Sequence, residues 1–124
     1  MNLNRILHKF LRSLKYWWQR RTRGWDDTDL WSLDYTIAKY ILPRLRMFID
    51  VKIGVPCTLG GFDLDDSVGY KNAEVEWNRI ITKMIVAFEL IIRDGNGEFL
   101  SNEEYKLIDE GLNLFAKYLR NLWW

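Results

Sequence analysis

Residues 73–93, AEVEWNRIITKMIVAFELIIR, decide the fold class. Large apolar side chains recur in this stretch at intervals of three and four residues, which is the period of an α-helix that buries one face. The turn-forming residues DGNG, 94–97, follow it and should end the helix. We therefore predict a core helix over about 73–93 whose apolar stripe consists of Trp77, Ile80, Ile81, Met84, Ile85, Phe88 and Ile92.

A second helix is predicted on the carboxyl side of this segment. Ser101 followed by Glu104 is a capping-box signature, in which each side chain accepts a hydrogen bond from a free N–H group at the start of the helix. Three-four spacing of apolar residues then continues to the end of the chain. The predicted apolar stripe is Tyr105, Ile108, Leu112, Phe115, Leu119 and Leu122.

Another helix is predicted to begin in the acidic stretch 25–29. Carboxylates there can cap free N–H groups, and their charge suits the positive end of the helix dipole. The helix should extend to about Asp50, but Pro43 removes one backbone donor, so we expect a kink or a split at that position. Its predicted apolar stripe is Trp31, Tyr35, Ala38, Leu42, Leu45 and Ile49.

The amino-terminal helix is amphipathic and basic. Residues 1–23 contain seven Lys/Arg and no acid, whereas residues 24–124 contain eleven Lys/Arg and seventeen Asp/Glu. We expect a basic amphipathic helix over 1–22 and a helical core domain over 23–124. The helix can bind nucleic acid, lie on an anionic membrane or pack on the core domain. Packing is favoured because the acidic body disfavours a polyanion and because docking requires an apolar stripe.

These patterns predict an all-α, four-helix bundle-like single domain with one long irregular loop over about 51–72. No apolar run approaches the roughly 20 residues that a membrane span needs, and the amino terminus does not resemble a signal peptide, so we expect a cytoplasmic protein. Cys57 and His8 are the only cysteine and histidine. They are too few for a disulfide or a structural zinc site, and no cofactor or metal is predicted.

Three segments carry a family resemblance. They are RGWDDTDLWSLD at 23–34 running on to ILPRL at 41–45, EWNRIITKMIVAFE at 76–89, and IDEGLNLFAKY at 108–118. Together they resemble a family of small uncharacterised proteins encoded by tailed bacteriophages, over roughly residues 23–124. The resemblance implies no particular activity. It implies a small accessory protein that acts in an infected bacterium, where binding or blocking a host component is a common role.

Aromatic rings and charges concentrate around residues 23–34 and at the start of the core helix. Seven of the residues are Trp, and large flat rings serve as stacking surfaces for ligands. Asp34 falls on the inward stripe, so it needs a partner: either a structural ion pair with Arg44 or Arg79, beside a helix cap at Asp26 or Thr28, or a bound ligand. In the second case the predicted ligand-binding residues are Arg23, Trp25, Asp27, Trp31, Asp34, Arg44, Glu76 and Trp77.

In that hypothesis the tryptophans stack on a base, Arg23 and Arg44 contact phosphate, and Asp27 or Asp34 accepts hydrogen bonds from the base or ribose. We therefore expect a non-enzymatic protein that sequesters a small phosphorylated ligand, such as a nucleotide or a host defence signalling nucleotide. One alternative is a protein–protein interaction module that blocks a host defence protein or nuclease.

A further alternative is a metal-dependent nucleotide hydrolase, in which inward acids such as Asp34, Glu76 and Glu89 would hold Mg²⁺. The paired E-x-x-E and E-x-x-D pattern of such enzymes is absent, which favours binding over catalysis. A homo-oligomer is also expected. The tryptophans at 17–18 and 123–124 would otherwise leave an apolar patch in water.

Overall fold

The residues that the computed structural model describes, 2–59 and 67–123, are predominantly α-helical, and no strand occurs among them. The predicted all-α, bundle-like fold is confirmed. None of the described helices is long and apolar enough to cross a bilayer. The helices are α1 (Leu3–Arg23), α2 (Thr28–Trp31), α3 (Leu33–Val51), α4 (Ser67–Gly95) and α5 (Asn102–Tyr118), with single 3-10 turns at Cys57–Leu59 and Leu119–Asn121.

The chain forms two compact units, residues 1–36 and 37–124. The first unit contains α1, the turn after it and α2. Helix α1 ends as expected at Gly24, which has a left-handed backbone with φ of 85° and donates its N–H to the Arg20 carbonyl at 3.1 Å. Glycine tolerates this conformation because it has no Cβ.

The helix predicted from about residue 28 to Asp50 is interrupted at Ser32, whose φ and ψ of −138° and 74° leave the helical region. Of the two outcomes expected at Pro43, a kink or a split, the split does not occur, since α3 continues through this residue. Pro43 itself is exposed, while Leu42 and Leu45 beside it are buried. The Pro43 ring therefore lies on the solvent side of α3, and the helix continues through it with one backbone N–H donor missing.

The core of the second unit is formed by α3, α4 and α5. Its α4 stripe matches the prediction closely, because Trp77, Ile80, Ile81, Met84 and Phe88 are all buried. The Trp77 ring lies 5.5 Å from the Tyr118 ring, and the Phe88 ring meets the Phe115 ring edge-on at 5.1 Å. The other buried members of this cluster are Ala38, Leu42 and Leu45.

The buried face of α5 matches its predicted stripe only in part, with Ile108 buried as predicted. Gly111 and Tyr118 are buried, whereas Leu112 and Leu119, which the stripe predicted inside, are exposed. The reason is a close approach to α4: a Cβ added at Gly111 would lie 2.5 Å from the Lys83 carbonyl oxygen. Any side chain at this crossing would force the two helices apart, so Gly111 favours this face of α5 pointing inward.

The starts of α4 and α5 differ in how well the sequence predicts them. At α5 both hydrogen bonds of the capping box between Ser101 and Glu104 are present, which confirms that prediction. Helix α4 begins at Ser67 instead of near residue 73, so residues 67–72 of the predicted irregular loop are helical. Residues 60–66 of that predicted loop lie outside the described part of the chain. The Tyr70 hydroxyl donates to the Ile53 carbonyl at 3.1 Å, a tertiary contact that stabilises this early turn.

Candidate functional site

Three predicted ligand-binding residues, Arg23, Trp25 and Asp27, lie together where α1 ends. The Arg23 guanidinium stacks on the Trp25 ring, with 3.8 Å from Cζ to the ring centroid. The same guanidinium donates from Nε to the Trp25 carbonyl at 3.1 Å and from Nη2 to Asp27 Oδ1 at 2.7 Å. These residues therefore satisfy one another, because the charge and donors that phosphate would need are already engaged within the chain.

Asp27 also binds back onto α1 through Gln19 and Lys15. Its Oδ2 accepts a hydrogen bond from Gln19 Nε2 at 3.0 Å and lies 3.2 Å from Lys15 Nζ, while its N–H donates to Gln19 Oε1 at 3.0 Å. Hydrogen bonds from Gln19, Arg23 and Lys15, in that order of importance, hold the pKa of Asp27 well below its ordinary value. Asp27 is thus a fixed anion that joins the following turn to α1.

Asp26 links α1 to the start of α2 in a similar way. It is buried, and its Oδ1 accepts hydrogen bonds from the Thr28 N–H at 2.8 Å and from the Thr28 hydroxyl. Its Oδ2 pairs with Arg20 on α1. The hydrogen bond from the Thr28 hydroxyl is the main cause that lowers the pKa of Asp26. The N-cap residue of α2 is Asp27, which makes no side-chain capping bond, so the cap expected at Asp26 or Thr28 is not found in that form. Asp26 instead binds the N–H of Thr28, the first residue of α2, and the ion pair with Arg20 compensates the burial of this carboxylate.

Trp31 and Asp34, the other predicted site residues of the first unit, lie on its surface. Trp31 is 71% exposed and its ring meets the edge of the Tyr16 ring, with centroids 6.3 Å apart. Asp34 is exposed in the first turn of α3. The expectation that Asp34 points inward is wrong, because it assumed one continuous helical stripe from Trp31 onward and the backbone breaks at Ser32.

In the second unit, Arg44, Glu76 and Trp77 do not form a stacking site. Arg44 lies over the Tyr40 ring, with 3.7 Å from Cζ to the ring centroid, and donates to the Tyr40 carbonyl at 2.7 Å. Glu76 forms a two-bond ion pair with Arg79, which lowers the pKa of Glu76. Trp77 is only 1% exposed, so it is a core residue and offers no free face to a ligand.

The acids of α4 that the hydrolase alternative requires are ion-paired at its surface. Glu89 pairs with Arg46 at 2.8 Å, and Glu76 pairs with Arg79. Glu76 and Glu89 are thirteen residues apart on one helix, which separates them by about 20 Å at 1.5 Å per residue, so they cannot share an ion. Among residues 2–59 and 67–123, no group of three His, Cys, Asp or Glu side chains is placed to hold a metal.

The second unit also contains an apolar concavity of about 340 Å³ between the segment after α3 and the carboxyl end of the chain. Ile53, Val55, Pro56 and Trp123 form much of its wall, and an edge of Trp77 contributes to it. None of its described wall residues is charged. The concavity therefore lacks a counter-charge for the phosphorylated ligand that the sequence suggested.

The first unit exposes a long apolar surface on one face of α1. None of the residues of α1 is buried, and its large apolar side chains are between 46% and 80% exposed. The exposed residues, which we call the α1 apolar face, are Leu3, Ile6, Leu7, Phe10, Leu11, Leu14, Trp17 and Trp18.

The eight predicted ligand-binding residues thus lie in three separate places in the structure. Arg23, Trp25 and Asp27 come together, Trp31 and Asp34 are exposed elsewhere in the first unit, and the remaining three belong to the second unit. No protein-family model, curated protein or solved structure matches the chain. Sequence reasoning found the α1 apolar face but gave it a packing role, since periodicity identifies an apolar stripe without identifying what covers it.

Proposed function

We propose that this chain is a non-enzymatic interaction protein whose contact surface is the α1 apolar face. The observation that supports this proposal is the exposure of eight large apolar side chains along one side of a single helix. Contiguous exposed apolar surface is costly in water and marks sites of contact with another macromolecule or a membrane. Isolated exposed apolar residues need no such explanation, but an uninterrupted helical face does.

Sequestration of a small phosphorylated ligand has less support. Of the residues proposed for it, Trp77 is buried, Arg44 is engaged with Tyr40, and Arg23 is engaged with Trp25 and Asp27. A ligand would have to break these contacts before it could use the same groups. The hydrolase alternative has less support still, because the α4 acids are ion-paired and far apart.

The resemblance to bacteriophage proteins supplies a cellular setting for this proposal. It places the expected contact inside an infected bacterium, and it agrees with an accessory protein that acts by binding a host component. Association of several copies through other apolar residues, such as the 77% exposed Trp123, is a separate prediction. Neither the setting nor the self-association is required for the α1 apolar face to act as a contact surface.

Site-directed photo-crosslinking in bacterial cells tests the proposal directly. A benzophenone amino acid is placed at Phe10 on the α1 apolar face, at Arg12 on the opposite side of the same helix, and at Phe99. Phe99 is fully exposed in the second unit and serves as a matched aromatic control. We expect intermolecular adducts from position 10 that are absent from positions 12 and 99.

The class of the adduct is then identified by its sensitivity to lipid extraction, nuclease or protease. Adducts confined to position 10 support a contact role, whatever their class. If position 10 yields no adduct, or only crosslinks within its own chain as identified by mass spectrometry, the face has no external partner and the proposal is wrong.

A further inference from the structure

Helix α1 has two chemically different sides. At 100° per residue its large apolar side chains fall within an arc of about 140°, which is wider than the seam of a coiled coil. Six of its seven basic residues lie on the remaining arc, and Arg21 near the carboxyl end is the exception. Residues 3–23, which form α1, contain no Asp or Glu. A single occupant of α1 therefore has to accept an apolar side and a cationic side together.

The positive charge of α1 is not uniform along its length. Near the carboxyl end, Lys15, Arg20 and Arg23 pair with Asp26 and Asp27. Toward the amino terminus, no described carboxylate pairs with Arg5, Lys9 or Arg12, and all three are exposed. The unpaired cations therefore lie beside the amino-terminal part of the α1 apolar face, where Leu3 to Leu11 are exposed.

Two possible occupants satisfy only one side of this helix. A second copy of α1 would cover the apolar face, but the residues flanking the contact would be cationic on both helices, with no interhelical ion pairs. A nucleic acid would neutralise the cations and leave the apolar arc in water. An anionic bilayer can interact with both sides of the helix, because the apolar residues insert at the boundary between headgroups and acyl chains while Lys and Arg contact lipid phosphates.

We propose that the partner of the α1 apolar face is the surface of an anionic lipid bilayer, on which α1 lies in the plane of the headgroups. Trp17 and Trp18 sit side by side near one end of the face, and tryptophan is favoured at headgroup depth because its ring is apolar and its N–H is polar. This inference rests on the proposed function, since it names the partner of the same surface.

Vesicle flotation with the full chain tests this inference. The probes are vesicles of phosphatidylcholine alone and of phosphatidylcholine with one quarter phosphatidylglycerol, at about 50 and 500 mM salt. We expect the protein to float with the anionic vesicles at low salt, to bind the neutral vesicles much more weakly, and to be released at high salt because screening weakens the headgroup contacts.

Two matched pairs of variants separate charge from insertion. Replacing Arg5, Lys9 and Arg12 by glutamine should weaken binding to anionic vesicles about a hundredfold, at about fivefold per basic residue. The same replacement at three exposed cations of the second unit, Lys71, Lys106 and Arg120, should not weaken it. Phe10→Ala should weaken binding about tenfold, whereas Phe99→Ala should leave it unchanged. Circular dichroism checks that every variant keeps the helicity of the native chain.

Loss of binding in the α1 variants alone establishes the membrane contact. Failure to float at low salt, equal loss in the control variants, or equal binding to neutral vesicles overturns it. Binding to a short DNA duplex without vesicle binding also overturns it, in favour of a nucleic acid. If flotation fails while position 10 still gives intermolecular crosslinks, the lipid partner is wrong and the proposed function stands. If both fail, both are wrong.

Discussion

The crossing of α4 and α5 at Gly111 predicts that adding one methyl group there destabilises the second unit. In Gly111→Ala the new Cβ would lie 2.5 Å from the Lys83 carbonyl oxygen and closer still to the Ala87 side chain. Ordinary contacts begin near 3.5 Å, so the helices have to separate by about 1 Å. A backbone carbonyl inside a helix cannot rotate away as a flexible side chain would.

The magnitude follows from two opposing terms. Overpacking of this kind costs about 3 kcal/mol, at the upper end of the usual range because the obstacle is backbone. Alanine is favoured over glycine inside a helix by about 1 kcal/mol. The net destabilisation is therefore about 2 kcal/mol, and for a unit of this size it lowers the melting temperature by roughly 10 °C.

Thermal and urea unfolding, followed by far-ultraviolet circular dichroism, measure this difference. Gly54→Ala is the matched control, because a Cβ at Gly54 meets nothing within 4 Å and its φ is not positive. That variant should be neutral or up to about 1 kcal/mol more stable, since alanine restricts the unfolded chain. A Gly111→Ala protein as stable as Gly54→Ala would refute the close crossing and, with it, the inward orientation of α5.

Two further predictions concern residues that the sequence assigned to the ligand site. Trp77→Ala should cost about 3–5 kcal/mol in urea unfolding, because Trp77 is 1% exposed. Trp31→Ala should change stability by less than about 0.5 kcal/mol, and equal losses would contradict the burial of Trp77. The pKa of Asp27 lies below its ordinary 3.8, so its stabilising contacts are fully present above that pH and are lost as pH falls further. Carboxyl-carbon NMR titration checks this prediction, and a midpoint at or above 3.8 contradicts it.

Local signals in the sequence predicted the end of α1 and the start of α5 well. Gly24 and the Ser101–Glu104 pair act through backbone geometry and neighbouring N–H groups, so few distant residues are needed to interpret them. The buried stripe of α4 was also predictable from the sequence, since a helix that packs against two neighbouring helices has a wide apolar face. Interruption at Ser32 was not predicted, because serine is tolerated inside helices and only its dihedral angles reveal the break.

The errors arose where a residue type has two physical roles. Gly111 counts as neither apolar nor inward in a periodicity analysis, yet it determines the orientation of α5 because it is small. Trp77 fits both a core stripe and a stacking platform, and only its burial distinguishes them. Arg23, Trp25 and Asp27 were correctly expected to lie close together. Their mutual hydrogen bonds could not be separated from a ligand site by composition alone.

The ion pair that engages Arg23, together with those of Lys15 and Arg20, also determines where positive charge remains along α1. Asp26 and Asp27 neutralise cations at the carboxyl end of α1 and leave Arg5, Lys9 and Arg12 without acidic partners among the described residues. If the acids lay beside the amino terminus instead, they would neutralise these cations and weaken the attraction of α1 to an anionic surface. The positive charge that remains without an acidic partner is thus concentrated next to the amino-terminal part of the α1 apolar face. The same pairs also join α1 to the turn that leads into α2, so one cluster serves structure and charge placement together.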